Sequence, residues 1–233
     1  MNAADTMPPR RSTHTFGSPP DQWVYDRWGD TGRPVVLLHS LLFDRRVWWP
    51  VAADLAAYCV VIAPDLPGHG DTATRAGLAP AQLAGEIAEL VHSLDLRRAP
   101  VVVGHGTSAQ IATAFAASYA IHTLVTADEM DPCHVNTAEQ LLAAIRPHEV
   151  PAVYRPYALA PPDLALFSAY RTANLGAEHP PAPADIPHIL VSSGSAGRRA
   201  EQSGASELRY TGAARLPQLS DPYRFAADLR ALL

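Results

Sequence analysis

A chain of 233 residues, 48% hydrophobic and 18% charged, is long enough to bury the core of one α/β domain. A net charge of -5, with 18 arginines, no lysine and no basic cluster, excludes an electrostatic nucleic-acid-binding surface. No run approaches the ~20 apolar residues of a membrane helix, and no apolar segment of signal-peptide type opens the chain, so the expected location is the cytoplasm with no membrane partner.

In chain order, residues 1–20 are rich in Pro, Ser and Thr and read as a disordered tail. Trp23 to Trp28 alternates and then meets Gly29, as a strand closing in a turn does. Val35 to Leu38 is a short continuous apolar run, the pattern of a strand buried on both faces of a parallel sheet. Val47, Trp48, Val51 and Leu55 recur at helical spacing, and Cys59 to Ala63 is a second buried strand. Cys59 reads as plain core, and with Cys133 it makes neither a CxxC nor a disulfide framework. Leu83, Ile87, Leu90, Val91 and Leu94 trace one helix face. Val101 to Val103 is a strand, 108–118 an Ala-rich helix and Thr123 to Thr126 a further strand. Ile186 to Val191 and Leu208 to Tyr210 read as late strands, and Phe225, Leu229 and Leu232 mark a final helix. This alternation predicts an α/β fold, a mostly parallel sheet with helices on both faces. Residues 132–185 interrupt it with prolines, the aromatics Tyr154, Tyr157, Phe167 and Tyr170, and short helical patterns. Asn136 with Glu139 is a candidate N-cap pair. The expected organisation is therefore a core over 21–131 and 186–233, with a short helical cap or lid over 132–185.

Three stretches carry a family resemblance. "VVLLHSLLFDRRVWWPVAADLAAYCVVIAPDLPGHGDT" resembles the opening of an α/β-hydrolase domain, with an HG-type oxyanion loop after one strand and a D-x-x-G-x-G loop after the next. "VVVGHGTSAQIATAFA" is similar to the nucleophile-elbow strand and helix. "YTGAARLPQLSDPYRFAADLRALL" resembles the last strand end, the catalytic-histidine loop and the final helix. Together they cover most of 22–131 and 186–233 and imply the α/β-hydrolase fold.

Acyl transfer on that fold needs a nucleophile at the elbow, a histidine to take its proton and an acid to orient the histidine. By the resemblance the nucleophile position is Gly106, which has no side chain. A shifted frame would make Ser108 the nucleophile, but Gln110 is too large two positions beyond it. The histidine position is Arg215, which stays protonated and cannot act as a general base. The usual acid position, Gly194 to Gly197, has no carboxylate; Asp128, after the preceding strand, is the one triad member that survives.

Two function classes follow. One is a non-hydrolytic enzyme acting on a small apolar carbonyl compound without a covalent intermediate, by cyclisation, retro-aldol cleavage, decarboxylation or isomerisation. There Asp128 would be the base and Arg215 its electrostatic partner. His39, Ser40, Leu41, Gly106, Thr107, Tyr154 and Tyr157 would line the pocket. The backbone N–H groups of Leu41 and Thr107 would meet a developing negative charge, and Gly106 would enlarge the cavity. The other class is a catalytically inactive member that binds a ligand or a partner, with Arg215 merely paired to Asp128. The two classes separate on whether Asp128, Arg215 and the oxyanion donors converge on one cavity. His39 and His69 shape loops by hydrogen bonding in the family pattern, and His105 packs beside the elbow. No histidine has metal-ligand spacing, so no metal is expected. The D-L-P-G-H-G loop lacks a dinucleotide context, so no cofactor is expected either. Asp128, Glu129, Asp131 and His134 form an acidic turn, more ordinarily solvated than catalytic.

Overall fold

A computed structural model describes residues 11–131, 134–158, 163–177, 180–193, 205–212 and 214–233. Eight strands form one sheet: β1 (Ser12–Phe16), β2 (Trp23–Trp28), β3 (Pro34–Leu38), β4 (Val60–Pro64), β5 (Val101–His105), β6 (Thr123–Ala127), β7 (His188–Ser193) and β8 (Ser206–Tyr210). Their spatial order is β1-β2-β4-β3-β5-β6-β7-β8. β2 pairs antiparallel with β1 and with β4, and every other pairing is parallel. The continuous apolar runs are buried on both faces, as β3 to β6 show at every position. Side chains such as Val36, Leu37 and Ile62 are wholly enclosed, each worth roughly 1.5–3 kcal/mol relative to exposure.

Helices supply the enclosure. α1 (Trp49–Leu55) packs against the last helix, α6 (Pro222–Arg230), while α2 (Pro80–Ser93) packs against α3 (Ala109–Ser118). The sheet is thus sandwiched, an α/β-hydrolase architecture. Between β6 and β7 lie α4 (Ala138–Ile145), two 3₁₀ turns over Pro147–Glu149 and Arg155–Ala158, and α5 (Leu164–Leu175). Of these, α5 sits on the loop after β4. The Tyr170 hydroxyl donates to Pro67 O at 2.9 Å, its ring meets His69 at 5.4 Å, and a Cβ on Gly68 would lie 2.5 Å from Leu166 Cδ1. Gly68 is therefore required for this close approach.

Two local expectations are corrected. Part of the segment expected to be a disordered tail is β1, whose residues are almost all exposed and are held by pairing with β2; residues 1–10 lie outside the described residues. The α4 cap is Thr137, whose hydroxyl accepts from Gln140 N at 3.2 Å, not Asn136. Asn136 N–H instead donates to Gln140 Oε1, so the reciprocal box is shifted by one residue.

Candidate functional site

The strand order places the site. β3 lies between β4 and β5, the point at which the strand order reverses, and in open α/β sheets ligands bind outside the carboxyl ends of the strands at such a point. The register Leu38↔Gly104 and His105↔Ala127 brings Ser40, Gly106 and Asp128 to that one edge.

Gly106 follows β5 with φ +58, a conformation in which a side chain is strained. The sharp turn after the strand is the feature expected of an elbow position. Gly104 is needed as well, because a Cβ there would come within 2.5 Å of Ser108 O. Ser108 itself is buried at φ -77, and its hydroxyl donates to His39 O. Among the described residues the hydrogen bond of its hydroxyl is to this backbone carbonyl and not to a base.

The space vacated by a side chain at 106 is not empty. A Cβ on Gly106 would meet Ser40 Oγ at 2.5 Å and Ser40 Cβ at 2.9 Å. Ser40 thus occupies the volume that Gly106 was expected to add to the pocket, correcting that expectation. It stands beside His39, in the second position of the HG-type loop, so the hydroxyl missing from the elbow has a counterpart across the crevice. Both expected oxyanion donors are also engaged. Leu41 N–H donates to Thr107 Oγ1 at 3.0 Å, Thr107 N–H donates to Ser40 Oγ at 3.3 Å, and the two hydroxyls lie 3.2 Å apart. Ser40 and Thr107 are buried, so these amides are satisfied by the chain itself rather than left open to a ligand.

On the other side of Gly106 the pairing is thinner. Asp128, at φ +45, accepts from Ser193 N at 2.8 Å through Oδ1. Arg215 Nε lies 3.6 Å from that same oxygen; its side chain is 31% exposed against 1% for Asp128. Asp128 Oδ2 and His105 Nδ1 are buried without a hydrogen-bond partner among the described residues. The backbone of Arg215 is better held than its side chain: its N–H donates to Ile145 O at 2.8 Å and its carbonyl lies 2.9 Å from His105 Nε2. The glycine-rich segment 194–197, without a carboxylate, lies outside the described residues.

Histidines shape the neighbouring loops. His39 Nε2 accepts from Leu66 N at 3.0 Å, and its Nδ1 lies 2.9 Å from Ser40 O. Burial pushes its pKa down to about 4, against the opposing Ser40 carbonyl. His69 accepts from Leu42 N at 3.4 Å, and burial takes it to about 3. Burial likewise lowers His105. Burial thus favours the neutral ring in all three. His134 pairs with Asp131 at 3.1 Å on the surface. Among the described residues no group of His, Cys, Asp and Glu could hold a metal ion.

No sequence pattern marks the buried arginine that ties this region together. Arg45 ion-pairs with Asp65, with Asp71 at 2.7 Å and with Asp26 at 3.2 Å, and its backbone N–H donates to Asp65 at 2.8 Å. Burial lowers its pKa, but the three carboxylates outweigh this and raise it above the ordinary range. Tyr154 and Tyr157, expected beside Gly106, instead line a cleft with Arg11, Trp49 and Tyr223 whose lining includes neither Ser40, Gly106, Asp128 nor Arg215.

Comparison with known proteins agrees with this fold. The chain resembles the structure of E-2-(acetamidomethylene)succinate hydrolase, with TM-score 0.76, 18% identity and coverage of 96% of this chain and 99% of the other. It also resembles an epoxide hydrolase, with TM-score 0.75, 17% identity and coverage of 96% and 98%. At such identities the likeness concerns the fold. An uncharacterized protein of Mycobacterium tuberculosis is 35% identical over 91 residues, 39% of this chain and 26% of that protein. The dihydrolipoyllysine-residue acetyltransferase component of the acetoin cleaving system of Cupriavidus necator is 36% identical over 92 residues, 38% and 25% of the two chains. The chain spans about a quarter of the length of these curated relatives. Among the described residues no helix is long and apolar enough to cross a membrane. A family model matches residues 35–232, from β3 through the last helix, and the chain belongs to the alpha/beta hydrolase family.

Proposed function

We propose that this chain is a non-hydrolytic member of the family that binds a small molecule and does not form an acyl-enzyme. One observation carries the reading: the two backbone donors that would stabilise an oxyanion are bonded to Thr107 and Ser40. A substrate carbonyl would have to displace both hydroxyls, each already in a buried hydrogen bond whose loss costs about 1–3 kcal/mol. Gly106 then offers no nucleophile, and Arg215 offers no base. Ser40 does not substitute for the missing serine, because its hydroxyl is bonded to Thr107 and no histidine among the described residues is hydrogen-bonded to it.

The decisive experiment is labelling with a fluorophosphonate probe, followed by turnover of an activated aryl ester. The expected result is no adduct and no turnover above a heat-inactivated control. Stoichiometric labelling of Ser40 or Ser108 would overturn the reading.

A second reading is favoured by one atom. The buried Asp128 Oδ2, without a partner among the described residues, suits a proton-transfer enzyme acting on a small apolar carbonyl compound, with Asp128 as base and Arg215 as the balancing cation. It predicts solvent-deuterium exchange into an enolisable ketone that Asp128→Asn abolishes.

A further inference from the structure

A cleft of about 530 Å³ lies where α1, the Arg155–Ala158 turn and the start of α6 meet, with Arg11, Trp28, Trp49, Tyr154, Tyr157 and Tyr223 in its walls. Its aromatic framework is fixed from behind. Trp28 is buried, the Trp49 indole N–H donates to Asp26 Oδ2 at 2.8 Å, and Trp49 and Tyr157 meet edge-on with centroids 5.9 Å apart. Tyr223 forms the open side and is 70% exposed. The cleft therefore presents preset ring faces and edges to solvent, where stacking contributes beyond simple area burial.

Its charge selects among ligands. The Arg11 guanidinium lies 3.7 Å above the centroid of the Trp49 ring. Its Nε is 3.9 Å from Asp26, and its side chain is 39% exposed. Asp26 is already committed to Arg45 at 3.2 Å, to Trp49 and to the Thr13 hydroxyl at 2.6 Å. It does little to quench Arg11. A cationic guest, the ordinary occupant of an aromatic cage, would be placed against a resident cation. A carboxylate would meet a planar donor fork of matching geometry.

We propose that this cleft binds a planar aromatic carboxylate, with its ring against Trp49, Tyr157 and Tyr223 and its carboxylate on the terminal nitrogens of Arg11. The assignment rests on the binding reading above and locates that binding away from the closed crevice at Gly106. No step of it involves Ser40, Thr107, Asp128 or Arg215.

Three naphthalene probes test it on the full chain by calorimetry and by quenching of the cleft tryptophans: 2-naphthoate, neutral 2-naphthamide and cationic 2-naphthylmethyl-trimethylammonium. The expected order is naphthoate first, by about tenfold over the amide, a ratio in keeping with a charged hydrogen bond; the cation should be weakest. Arg11→Gln should remove the preference for the acid while leaving the amide unchanged. Tyr223→Ala, at an exposed position that leaves the fold alone, should weaken both. Circular dichroism and melting of each variant report that it is folded. Absence of saturable naphthoate binding up to about 5 mM would overturn the proposal. So would a preference for the amide or the cation, or affinities that neither variant changes. Ester turnover by the same preparation is the separate readout of the binding reading: an active esterase sinks that reading, whereas an inactive protein that ignores naphthoate sinks only the cleft.

Discussion

On one side of Gly106, around Ser40, Leu41, Thr107, His39 and His69, the polar groups have found partners within the chain. On the other side, Asp128 and Arg215 meet at 3.6 Å, and the carboxylate's second oxygen and His105 Nδ1 have none among the described residues. Both sides carry a residue where the family resemblance led to the expectation of another, and they accommodate it differently. At the elbow the missing side chain is matched by a serine across the crevice, a steric and hydrogen-bonded fit. At residue 215 the arginine is accommodated by a long ion pair, and the backbone does the holding. A change that removes volume is thus filled by packing, while one that exchanges a neutral ring for a fixed cation is balanced by charge alone. The two sides should respond to mutation on different scales.

The largest effect belongs to the paired side. Arg45→Met removes the cation that Asp26 and Asp65 share in a buried setting, leaving the enclosed Asp65 without an ion-paired cation among the described residues and Asp26 with only the 3.9 Å contact to Arg11. The expected loss is about 3–5 kcal/mol in urea unfolding. The comparison variant, Arg230→Met, breaks a part-exposed pair with Asp54 and should cost below about 1 kcal/mol. Equal losses would show that Arg45 is not the anchor described here.

Acid should act on the same side. His39 and His69 are held by burial at about 4 and about 3, and burial also lowers His105 and His188. A histidine whose folded pKa lies below its unfolded value of about 6.5 leaves the unfolded chain binding more protons below that pH. Stability is therefore complete above about pH 6.5 and is lost on acidification toward pH 4, at a limiting ~1.4 kcal/mol per pH unit for each histidine. Asp65, which burial raises to about 6, opposes this in the lower part of the window, because its folded form takes up a proton first. The melting temperature should accordingly hold from pH 8 to 7 and fall steadily below 6.5. A flat profile down to pH 5 would mean that these rings are not held neutral.

The strands that position the site were readable because β3, β4, β5 and β6 are unbroken apolar runs whose burial needs no partner identity. β1 was not, since Ser-Thr-His-Thr-Phe is polar and is a strand only because β2 offers it an edge. The missing elbow side chain and the arginine at 215 were visible as residue types at matched positions. The Ser40–Thr107 closure was not. It depends on bringing together two hydroxyls 67 residues apart, and its one trace in the sequence is a serine beside His39 where the loop type has glycine. Arg45 and Arg46 are adjacent and alike as letters, and only the fold buries the first more deeply than the second.

A smaller effect is expected from Gly106→Ser. The new Cβ meets Ser40 at 2.5 Å while adopting φ +58, so overpacking and backbone strain add to about 1–3 kcal/mol. Ser40→Gly alone should also destabilise, because Thr107 N–H loses its acceptor. If the two positions are fitted to each other, the double variant costs less than the sum of the singles, with a coupling of about 1 kcal/mol or more. Strict additivity in denaturant melts would break the idea of a matched pair.

The smallest effect lies on the sparse side, at Arg215. Its side chain is nearly a third exposed, and its buried Nε approaches the enclosed Asp128 only at 3.6 Å, without a hydrogen bond among the described residues, so this long contact contributes little. Truncation does not release the loop, because the bonds to Ile145 and His105 are made by the backbone of residue 215. Nor does it strip Asp128 bare, because Ser193 N–H still donates to Oδ1. Arg215→Ala should therefore cost about 1 kcal/mol or less. At Asp128 the backbone decides: φ +45 suits Asn but strains Ala, so Asp128→Asn should be mild and Asp128→Ala the more damaging of the two. A double-mutant cycle on Arg215→Ala and Asp128→Asn isolates the ion pair from that strain. Coupling below about 0.5 kcal/mol in stability, with naphthoate affinity unchanged, would make Arg215 a replacement tolerated by the scaffold. Coupling of several kcal/mol would place the pair in a drier setting than its exposure indicates, and solvent-deuterium exchange into an enolisable ketone that falls in step would return Asp128 and Arg215 to proton-transfer chemistry.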